Sequence, residues 1–272
     1  MKLIGWLAGI IALGALGAGT GALAKGWPTP AAGESASGGP EIVFTFDDGP
    51  NPKTTPLVLD LLASRHIHAV FFLVGEMAGN RNPKVPALIQ RILRDGHVIA
   101  THTMTHKDLC RVSEPAAVRD LDDGKATVEQ VAGVPTAWFR TPYGARCERV
   151  ERLLAERHLA HFHWDIDPQE WKNKNGDVTA AYIIKRIQHL QDRAVLLMHD
   201  TKAATVVALP QVLDWIEAEN ARRTANGRMP IRILSGADLA VERTAPGLTA
   251  WLREAAASSV DDGLALVASA LP

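Results

Sequence analysis

The sequence predicts an α/β fold built on a parallel sheet, and three features of the chain predict it. From residue 41 onward, apolar β-rich segments alternate with amphipathic segments, the order that repeated strand–helix–strand units produce. The strand-like segments are apolar almost throughout, as in strands that are covered on both faces. Polar residues follow several of these segments directly, where α/β barrels and open sheets both carry their sites. A barrel and a doubly wound sheet both agree with these features.

The individual elements follow from this alternation in chain order. Apolar and β-branched runs predict seven strands, at residues 41–46, 68–74, 97–101, 137–140, 159–164, 194–199 and 230–234. Amphipathic stretches between them predict six helices, at residues 54–65, 84–95, 115–132, 148–158, 178–191 and 205–224. Residues 41–240 are therefore expected to form one domain, with a helical extension at 241–272.

The first forty residues differ from the rest of the chain. Residues 1–24 combine Met1-Lys2, an apolar run and the ending Ala22-Leu23-Ala24, which is typical of a secretory signal peptide. The same run is also long enough to remain as an uncleaved membrane anchor. Residues 25–40 are rich in Pro, Gly, Ser and Ala and predict a flexible linker. Both alternatives predict export, to a periplasmic or extracellular location, with a membrane contact only if the segment is uncleaved.

The balance of charges argues against nucleic acid as a partner. The 29 basic and 30 acidic residues nearly cancel, so nothing predicts the basic face that nucleic-acid binding needs.

Cys110 and Cys147 are the two cysteines of the chain. In an exported protein, such a pair is a disulfide candidate, with two unpaired buried thiols as the alternative.

Two adjacent carboxylates, Asp47 and Asp48, end the first predicted strand in the stretch IVFTFDDGP. Neighbouring carboxylates repel, so solvent, a cation or a chemical task must account for them. Taken alone, the stretch is also typical of a strand that ends in a tight turn. His102, Arg140 and the pair His199-Asp200 come at the ends of other strands, and all of these side chains are expected at the same rim of the sheet.

The chemistry expected at that rim is metal-assisted hydrolysis. His102 and His106 are four residues apart and would share one face of a helical turn. With an aspartate they make a His₂Asp set, which leaves one position open as in catalytic zinc sites. The second aspartate can then act as a general base and His199 as an acid. Read separately, HxxxH is common on solvated helices, and Asp200 is equally well explained as a helix N-cap.

Five motifs in order give a specific resemblance. TFDDGP, HTMTH, RTPYG, DIDPQEW and LLMHD resemble the motifs of NodB-homology polysaccharide deacetylases, carbohydrate esterase family four, over roughly residues 41–240. The resemblance implies a distorted (β/α) barrel of about seven parallel strands. It also implies a divalent metal, usually Zn²⁺ with Co²⁺ or Ni²⁺ as alternatives, and hydrolysis of N-acetyl or O-acetyl groups on an acetylated polysaccharide or oligosaccharide.

The resemblance also implies a role for each matching residue. Asp47 is similar to the catalytic base, and Asp48, His102 and His106 to the metal ligands. Arg140 resembles the residue that orients the base, and His199 the general acid. The Tyr143 backbone N–H would bind the oxyanion, and Trp171 and Leu197 would form the walls of the acetyl pocket.

Two features of the sequence are not covered by the five family motifs as they usually occur. Glu170 stands where the family usually has aspartate, so it could support either His199 or Arg140, with Asp165 and Asp167 as the next partners to consider. Cys110 and Cys147 fall in rim loops that the implied barrel brings together, which favours the disulfide.

The expected function is an exported deacetylase of an envelope glycan such as peptidoglycan or another N-acetylglucosamine polymer. Acetylated xylan and chitin oligosaccharides stay open as substrates. Two alternatives are a deacylase or deformylase of a lipid-linked sugar, which an uncleaved anchor would favour, and a non-catalytic carbohydrate-binding envelope protein.

Overall fold

The structure is a computed structural model that describes residues 38–239. Seven strands, all paired in parallel, form one sheet in this part of the chain. They are β1 (Glu41–Asp47), β2 (Val70–Leu73), β3 (Val98–Thr101), β4 (Trp138–Phe139), β5 (Ala160–His161), β6 (Arg193–His199) and β7 (Arg232–Leu234). Each coincides with a predicted strand, although β4 and β5 keep only two residues of their predicted lengths.

The sheet is curled rather than flat. Its order is β5-β4-β3-β2-β1-β6, and β7 also pairs with β1. On one side of β1, β7 pairs with its beginning and β2 with its end. Beyond β5, a bridge from Ile166 to Leu196 joins the chain to β6. The two ends of the sheet therefore meet, which confirms the distorted barrel and excludes the doubly wound alternative.

The helices around the described sheet include α1 (Thr55–Ser64), α2 (Gly75–Ala78), α3 (Lys84–Arg94), α4 (Glu114–Ala132), α5 (Glu148–Glu156), α6 (Glu170–Asn173), α7 (Gly176–Gln188) and α8 (Ala203–Ala225). Six of them match the predicted helices. The four-residue helices α2 and α6 were not predicted, because a single turn is too short to show a helical period.

The two faces of β1 pack into different apolar clusters, and this alternation decides on which face Asp47 lies. Ile42, Phe44 and Phe46 belong to the cluster that includes the apolar sides of the helices. Val43 faces the opposite way, into a cluster formed by the other strands. Since successive side chains in a strand point to opposite faces, Asp47 lies on the same face as Val43. A polar side chain therefore stands above the apolar interior, at the carboxyl end of β1.

Several predicted segments lie outside the described residues. These are the signal or anchor segment, all of the linker except residues 38–40, and the helical extension expected at 241–272. Between residues 38 and 239, none of the helices has the length and apolar character that a membrane span requires.

A disulfide joins Cys110, in the loop before α4, to Cys147 at the N-terminus of α5. Both residues pack against the apolar cluster that contains Leu109 and Val150. The pairing that the sequence favoured is thus the one that the structure contains.

We expect the double variant Cys110→Ser/Cys147→Ser to be less stable. The cross-link spans 37 residues, and the chain-entropy model gives about 4 kcal/mol for a loop of that size. Guanidinium unfolding of the variant and of the oxidised wild-type protein measures the difference. Two free thiols, found by mass spectrometry in unreduced protein from an oxidising compartment, would contradict the pairing in solution.

Candidate active site

A cavity of about 300 Å³ opens at the carboxyl ends of the strands. All but two of the site residues predicted from sequence line it, and Arg140 and Glu170 lie directly behind its wall. The lining residues are Asp47, Asp48, His102, His106, Thr141, Tyr143, Trp164, Asp167, Trp171, Leu197, His199 and Lys202. The sheet thus brings together residues that are up to 155 positions apart.

Asp47 is a buried carboxylate with one strong partner. Arg140 Nη1 donates a hydrogen bond of 2.6 Å to its Oδ1. Burial raises the pKa of Asp47, while the charge of Arg140 and this hydrogen bond oppose the rise. The second oxygen, Oδ2, lies 3.7 Å from His102 Nε2. Asp47 therefore has one oxygen held in place by Arg140 and the other close to His102.

Arg140 is itself fully buried and held on every side. Its Nε donates to the Phe162 carbonyl and its Nη2 to the His163 carbonyl, at 3.0 and 3.2 Å. Thr45 Oγ1 accepts from Nη1 at 2.9 Å, and the guanidinium lies 4.1 Å from the centre of the Phe72 ring. The planar guanidinium with its fixed donors suits such a cage, and a lysine would not fill it.

Asp48, His102 and His106 converge as a second group. One ligand atom of each lies within 4.8 Å of the other two. Asp48 Oδ1 is 3.2 Å from His106 Nε2 and 3.7 Å from His102 Nε2. These three residues are therefore close enough to bind one ion.

The local structure of this group differs from the expectation. The two histidines do not lie on a helical turn but on a loop after β3, in which Thr103 and His106 have positive φ values of 66° and 57°. A left-handed residue breaks a right-handed helix. Contacts with the next elements fix the loop instead: Gly75 N–H donates to the Thr103 carbonyl, and Met104 N–H donates to the Asp120 carbonyl.

The protonation of these residues fits a metal. Nδ1 of His102 lies 2.7 Å from the Arg140 carbonyl; a carbonyl can only accept, so this nitrogen carries the proton and Nε2 keeps its lone pair. Burial lowers the pKa of His102 to about 3. Asp48 Oδ1 is buried and has no hydrogen-bond partner within residues 38–239, despite the nearby imidazoles. The free Nε2 lone pair of His102 and a buried carboxylate oxygen without a hydrogen bond suit a zinc-type ion.

Gly124 on α4 packs closely against the loop 102–106, called the ligand loop below, and this contact sets the position of the loop. A Cβ at this residue would lie 2.4 Å from the Thr103 carbonyl carbon and 2.5 Å from Met104 N. We expect Gly124→Ala to displace the loop, to lower stability by roughly 1–3 kcal/mol as overpacked sites do, and to weaken zinc binding.

Denaturant midpoints and zinc titrations check this expectation. Asp123→Ala is the control, since Asp123 is the exposed neighbour of Gly124 on α4. Unchanged zinc affinity in Gly124→Ala would show that this contact does not position the ligands.

His199 forms a dyad with Glu170. Its Nδ1 and its backbone N–H both lie close to Glu170 Oε1, at 2.7 and 2.8 Å. Burial disfavours the imidazolium, but the hydrogen bond and charge of Glu170 outweigh it, so the pKa of His199 is raised. Nε2 lies on the cavity side, 4.0 Å from Asp48 Oδ2. Of the two partners left open by the sequence, Glu170 therefore pairs with His199 and not with Arg140.

The other carboxylates near this dyad, those of Asp165, Asp167 and Asp200, have hydrogen-bond partners of their own. Asp165 accepts from the Val195 N–H at 2.8 Å and Asp167 from the Gln169 N–H at 2.8 Å. Asp200 does not cap a helix, because α8 begins at Ala203; it is buried and accepts a hydrogen bond from Thr55 Oγ1. Burial raises the pKa of Asp200 to about 7. The N-cap expected as the alternative for Asp200 is thus wrong.

Aromatic side chains frame the mouth of the cavity. Tyr143 and Trp171 line it and are 72% and 47% exposed, while Leu197 is buried at its wall. Tyr143 lies in a 3₁₀ turn, Pro142–Gly144, with φ of 62°. Thr141, Trp164 and Lys202 line the cavity and were not predicted. Lys202 comes three residues after His199 at the end of β6, and the rule that site residues follow strands could have found it.

We expect Glu170→Gln to move the alkaline limb of the pH–rate profile to lower pH. Removing the anion lowers the pKa of His199, so His199, if it is the acid expected from the sequence, loses its proton at a lower pH. At neutral pH, kcat should fall by about tenfold or more, within the range for general acids.

The profile of kcat/KM between pH 5 and 10, compared with that of Asp165→Asn, checks this result. Asp165→Asn removes a carboxylate that does not contact His199 and should leave the alkaline limb in place. An unmoved limb in Glu170→Gln would mean that Glu170 does not tune the acid, and a moved acid limb would assign it to Arg140 and Asp47.

The carboxylate–arginine pair and the imidazole–carboxylate dyad lie around one cavity at the carboxyl rim of a (β/α) barrel, which is the arrangement of an acid–base hydrolase. Comparison with known proteins supplies the family. The family model described as polysaccharide deacetylase matches residues 34–160, and the chain belongs to this family. The resemblance that the five motifs indicated is thereby confirmed.

Relatives and solved structures agree with this assignment. The chain is 37% identical over 166 residues to a chitooligosaccharide deacetylase of Bradyrhizobium sp., covering 60% of this chain and 72% of the relative. It is 30% identical to a peptidoglycan-N-acetylglucosamine deacetylase of Bacillus cereus, covering 67% and 65%. It is also similar to the structure of a family 4 carbohydrate esterase from Streptomyces lividans in complex with acetate, with 25% identity, a TM-score of 0.59, and coverage of 66% and 89%.

Proposed function

We propose that this protein is an exported, divalent-metal-dependent deacetylase that hydrolyses N-acetyl groups on an N-acetylglucosamine polymer of the cell envelope. One observation carries the proposal: the adjacent carboxylates have different closest partners, although both lie 3.7 Å from His102 Nε2. Asp47 pairs with Arg140, whereas Asp48 lies against His102 and His106. Two carboxylates in distinct environments can take distinct roles, one as a base and one as a ligand.

Asp48, His102 and His106 would hold the ion. Zn²⁺ suits two imidazoles and one carboxylate, and Co²⁺ or Ni²⁺ can take similar sites. When bound, such an ion supplies a Lewis acid that activates water and polarises the acetyl carbonyl.

Asp47 would act as the general base. It takes a proton from the attacking water while the water oxygen bonds to the carbonyl carbon. The 2.6 Å hydrogen bond from Arg140 orients the carboxylate and favours its ionised form against burial. The Tyr143 N–H would donate to the oxygen that becomes negative in the transition state.

His199 would act as the general acid. Its Nε2–H donates a proton to the sugar nitrogen as the carbon–nitrogen bond breaks, which releases the amine and acetate. Glu170 keeps the imidazole protonated and in one orientation, as the carboxylate does in other acid–base dyads. Trp171 and Leu197, which line the cavity, would enclose the acetyl methyl group.

The substrate class follows from two kinds of support. The Bradyrhizobium and Bacillus cereus relatives are named for chitooligosaccharide and for peptidoglycan N-acetylglucosamine, which share the N-acetylglucosamine unit. The signal peptide predicted for residues 1–24 favours an envelope polymer. Of the envelope polymers, peptidoglycan is the first candidate.

A panel of acetylated glycans tests the proposal. Zinc-loaded protein is incubated with peptidoglycan, chitooligosaccharides, acetylated xylan and an acetylated lipid-linked sugar, and the released acetate is measured by a coupled assay. We expect release from the N-acetylglucosamine polymers and a lower rate on xylan. Glycan binding without acetate release would refute the proposal and favour a non-catalytic carbohydrate-binding protein. Release from a lipid-linked sugar alone would favour the deacylase alternative.

A further inference from the structure

A second cluster of ligand-type side chains lies behind the wall of the cavity. It consists of Glu151 on α5 and of His161 and His163, at and just beyond β5. One ligand atom of each residue lies within 4.8 Å of the other two. We propose that Glu151, His161 and His163 form a second divalent-metal site, selective for zinc-class ions and separate from the one at Asp48.

The backbone places the two imidazoles side by side. Residues two apart in an extended chain share a face, and the ring centres of His161 and His163 are 4.1 Å apart. Nδ1 of His161 lies 2.9 Å from Glu151 Oε1. Nε2 of His163 is buried and lacks a hydrogen-bond partner within the described residues. A buried ring nitrogen without a partner calls for an ion or a water.

Both imidazoles are uncharged at neutral pH. Burial lowers the pKa of His161, although Glu151 opposes the shift, and burial lowers the pKa of His163 to about 3. Each ring is therefore neutral at pH 7, as metal binding requires. The Glu151 carboxylate can only accept, so Nδ1 of His161 carries the proton in the structure, and binding of an ion at Nδ1 would move that proton to Nε2.

An outer hydrogen bond completes the arrangement. Nε2 of His161 lies 2.9 Å from Thr141 Oγ1. If Nδ1 binds the ion, Nε2 carries the proton and donates it to this hydroxyl, which is how ligating histidines are usually oriented. Thr141 also lines the catalytic cavity, so occupancy of the second site would stiffen that wall.

Two arginines lie near the cluster, and its ligand types set the selectivity. Arg146 Nε lies 3.1 Å from Glu151 Oε1, and the Arg140 guanidinium binds the His163 carbonyl. Arg146 is 55% exposed and can turn into solvent when an ion arrives. Arg140 stays, and its charge opposes every divalent ion alike. The cluster offers one carboxylate, too few oxygen ligands for Mg²⁺ or Ca²⁺. Two imidazole nitrogens favour Zn²⁺ instead.

Zinc stoichiometry of the full chain tests the site. Metal-free protein is dialysed against micromolar Zn²⁺ and the bound metal is measured by mass spectrometry. The wild-type protein should bind about two ions per chain, and Asp48→Asn/His106→Ala, which removes the catalytic ligands, about one. His163→Ala and Glu151→Gln should each lose one ion. His189→Ala removes an exposed histidine outside both clusters and should keep two.

The outcomes separate this inference from the proposed function. A folded Asp48→Asn/His106→Ala variant that binds no zinc would overturn the second site, as would a folded His163→Ala variant that still binds two ions. Circular dichroism establishes folding, and Glu151→Gln decides the matter if His163→Ala fails to fold. Acetate release by the wild-type protein is read independently, so either result can fail while the other stands.

Discussion

Asp48→Asn is expected to abolish zinc binding at the catalytic site and with it nearly all acetate release. The substitution keeps the size of the side chain but removes the negative charge that lies between His102 and His106. Removal of an outer-sphere partner already lowers metal affinity by about 10- to 100-fold, so loss of a direct ligand should exceed about 100-fold. Zinc titration and the acetate assay measure both effects.

A matched control and a chelation experiment accompany this prediction. Asp60→Asn changes an exposed aspartate of α1 that pairs with Arg91 and should leave activity intact. Treatment of the wild-type protein with a chelator should reproduce the loss, and added Zn²⁺ should reverse it. Full turnover by the metal-free protein would disprove the metal requirement.

Asp47→Asn is expected to lower kcat/KM by about two orders of magnitude or more, in line with the contribution of a general base. An amide cannot take the proton from water, although its oxygen can still accept the hydrogen bond from Arg140. Zinc affinity should change little, since the ligands remain. Steady-state kinetics and a zinc titration of the same preparation separate the two effects. Wild-type rates in this variant would place the base elsewhere.

The same variant is also expected to be less stable. Arg140 is fully buried, and Asp47 is the carboxylate that pairs with it. Breaking a buried pair from one side leaves an uncompensated charge, which typically costs about 3–5 kcal/mol, and the amide oxygen should reduce that cost. In Asp47→Asn/Arg140→Gln both charges are gone, so its loss of stability should be smaller than the sum of the two single losses.

The sequence by itself determined the secondary-structure elements and the edge of the sheet at which the site residues lie. Seven apolar segments became seven parallel strands, because hydrophobic periodicity is a local property that tertiary contacts strengthen. The rule that site residues follow strands correctly predicted that Asp47, His102 and His199 lie around one cavity. The conjunction of five motifs supplied the family, whereas each motif alone would not.

The tertiary structure alone decided how the side chains are held. The ligand loop is left-handed at Thr103 and His106 because it packs against Gly124 and is bonded to α4, and no local pattern encodes such a contact. Two of the four hydrogen bonds of Arg140 go to backbone carbonyl groups, which every residue carries and which leave no trace in the sequence. Glu170 reaches His199 rather than Arg140 because the short helix α6 places it beneath β6. Local periodicity fixes where a chain is strand or helix, but the partner of a side chain depends on distant backbone that comes close only when the barrel closes.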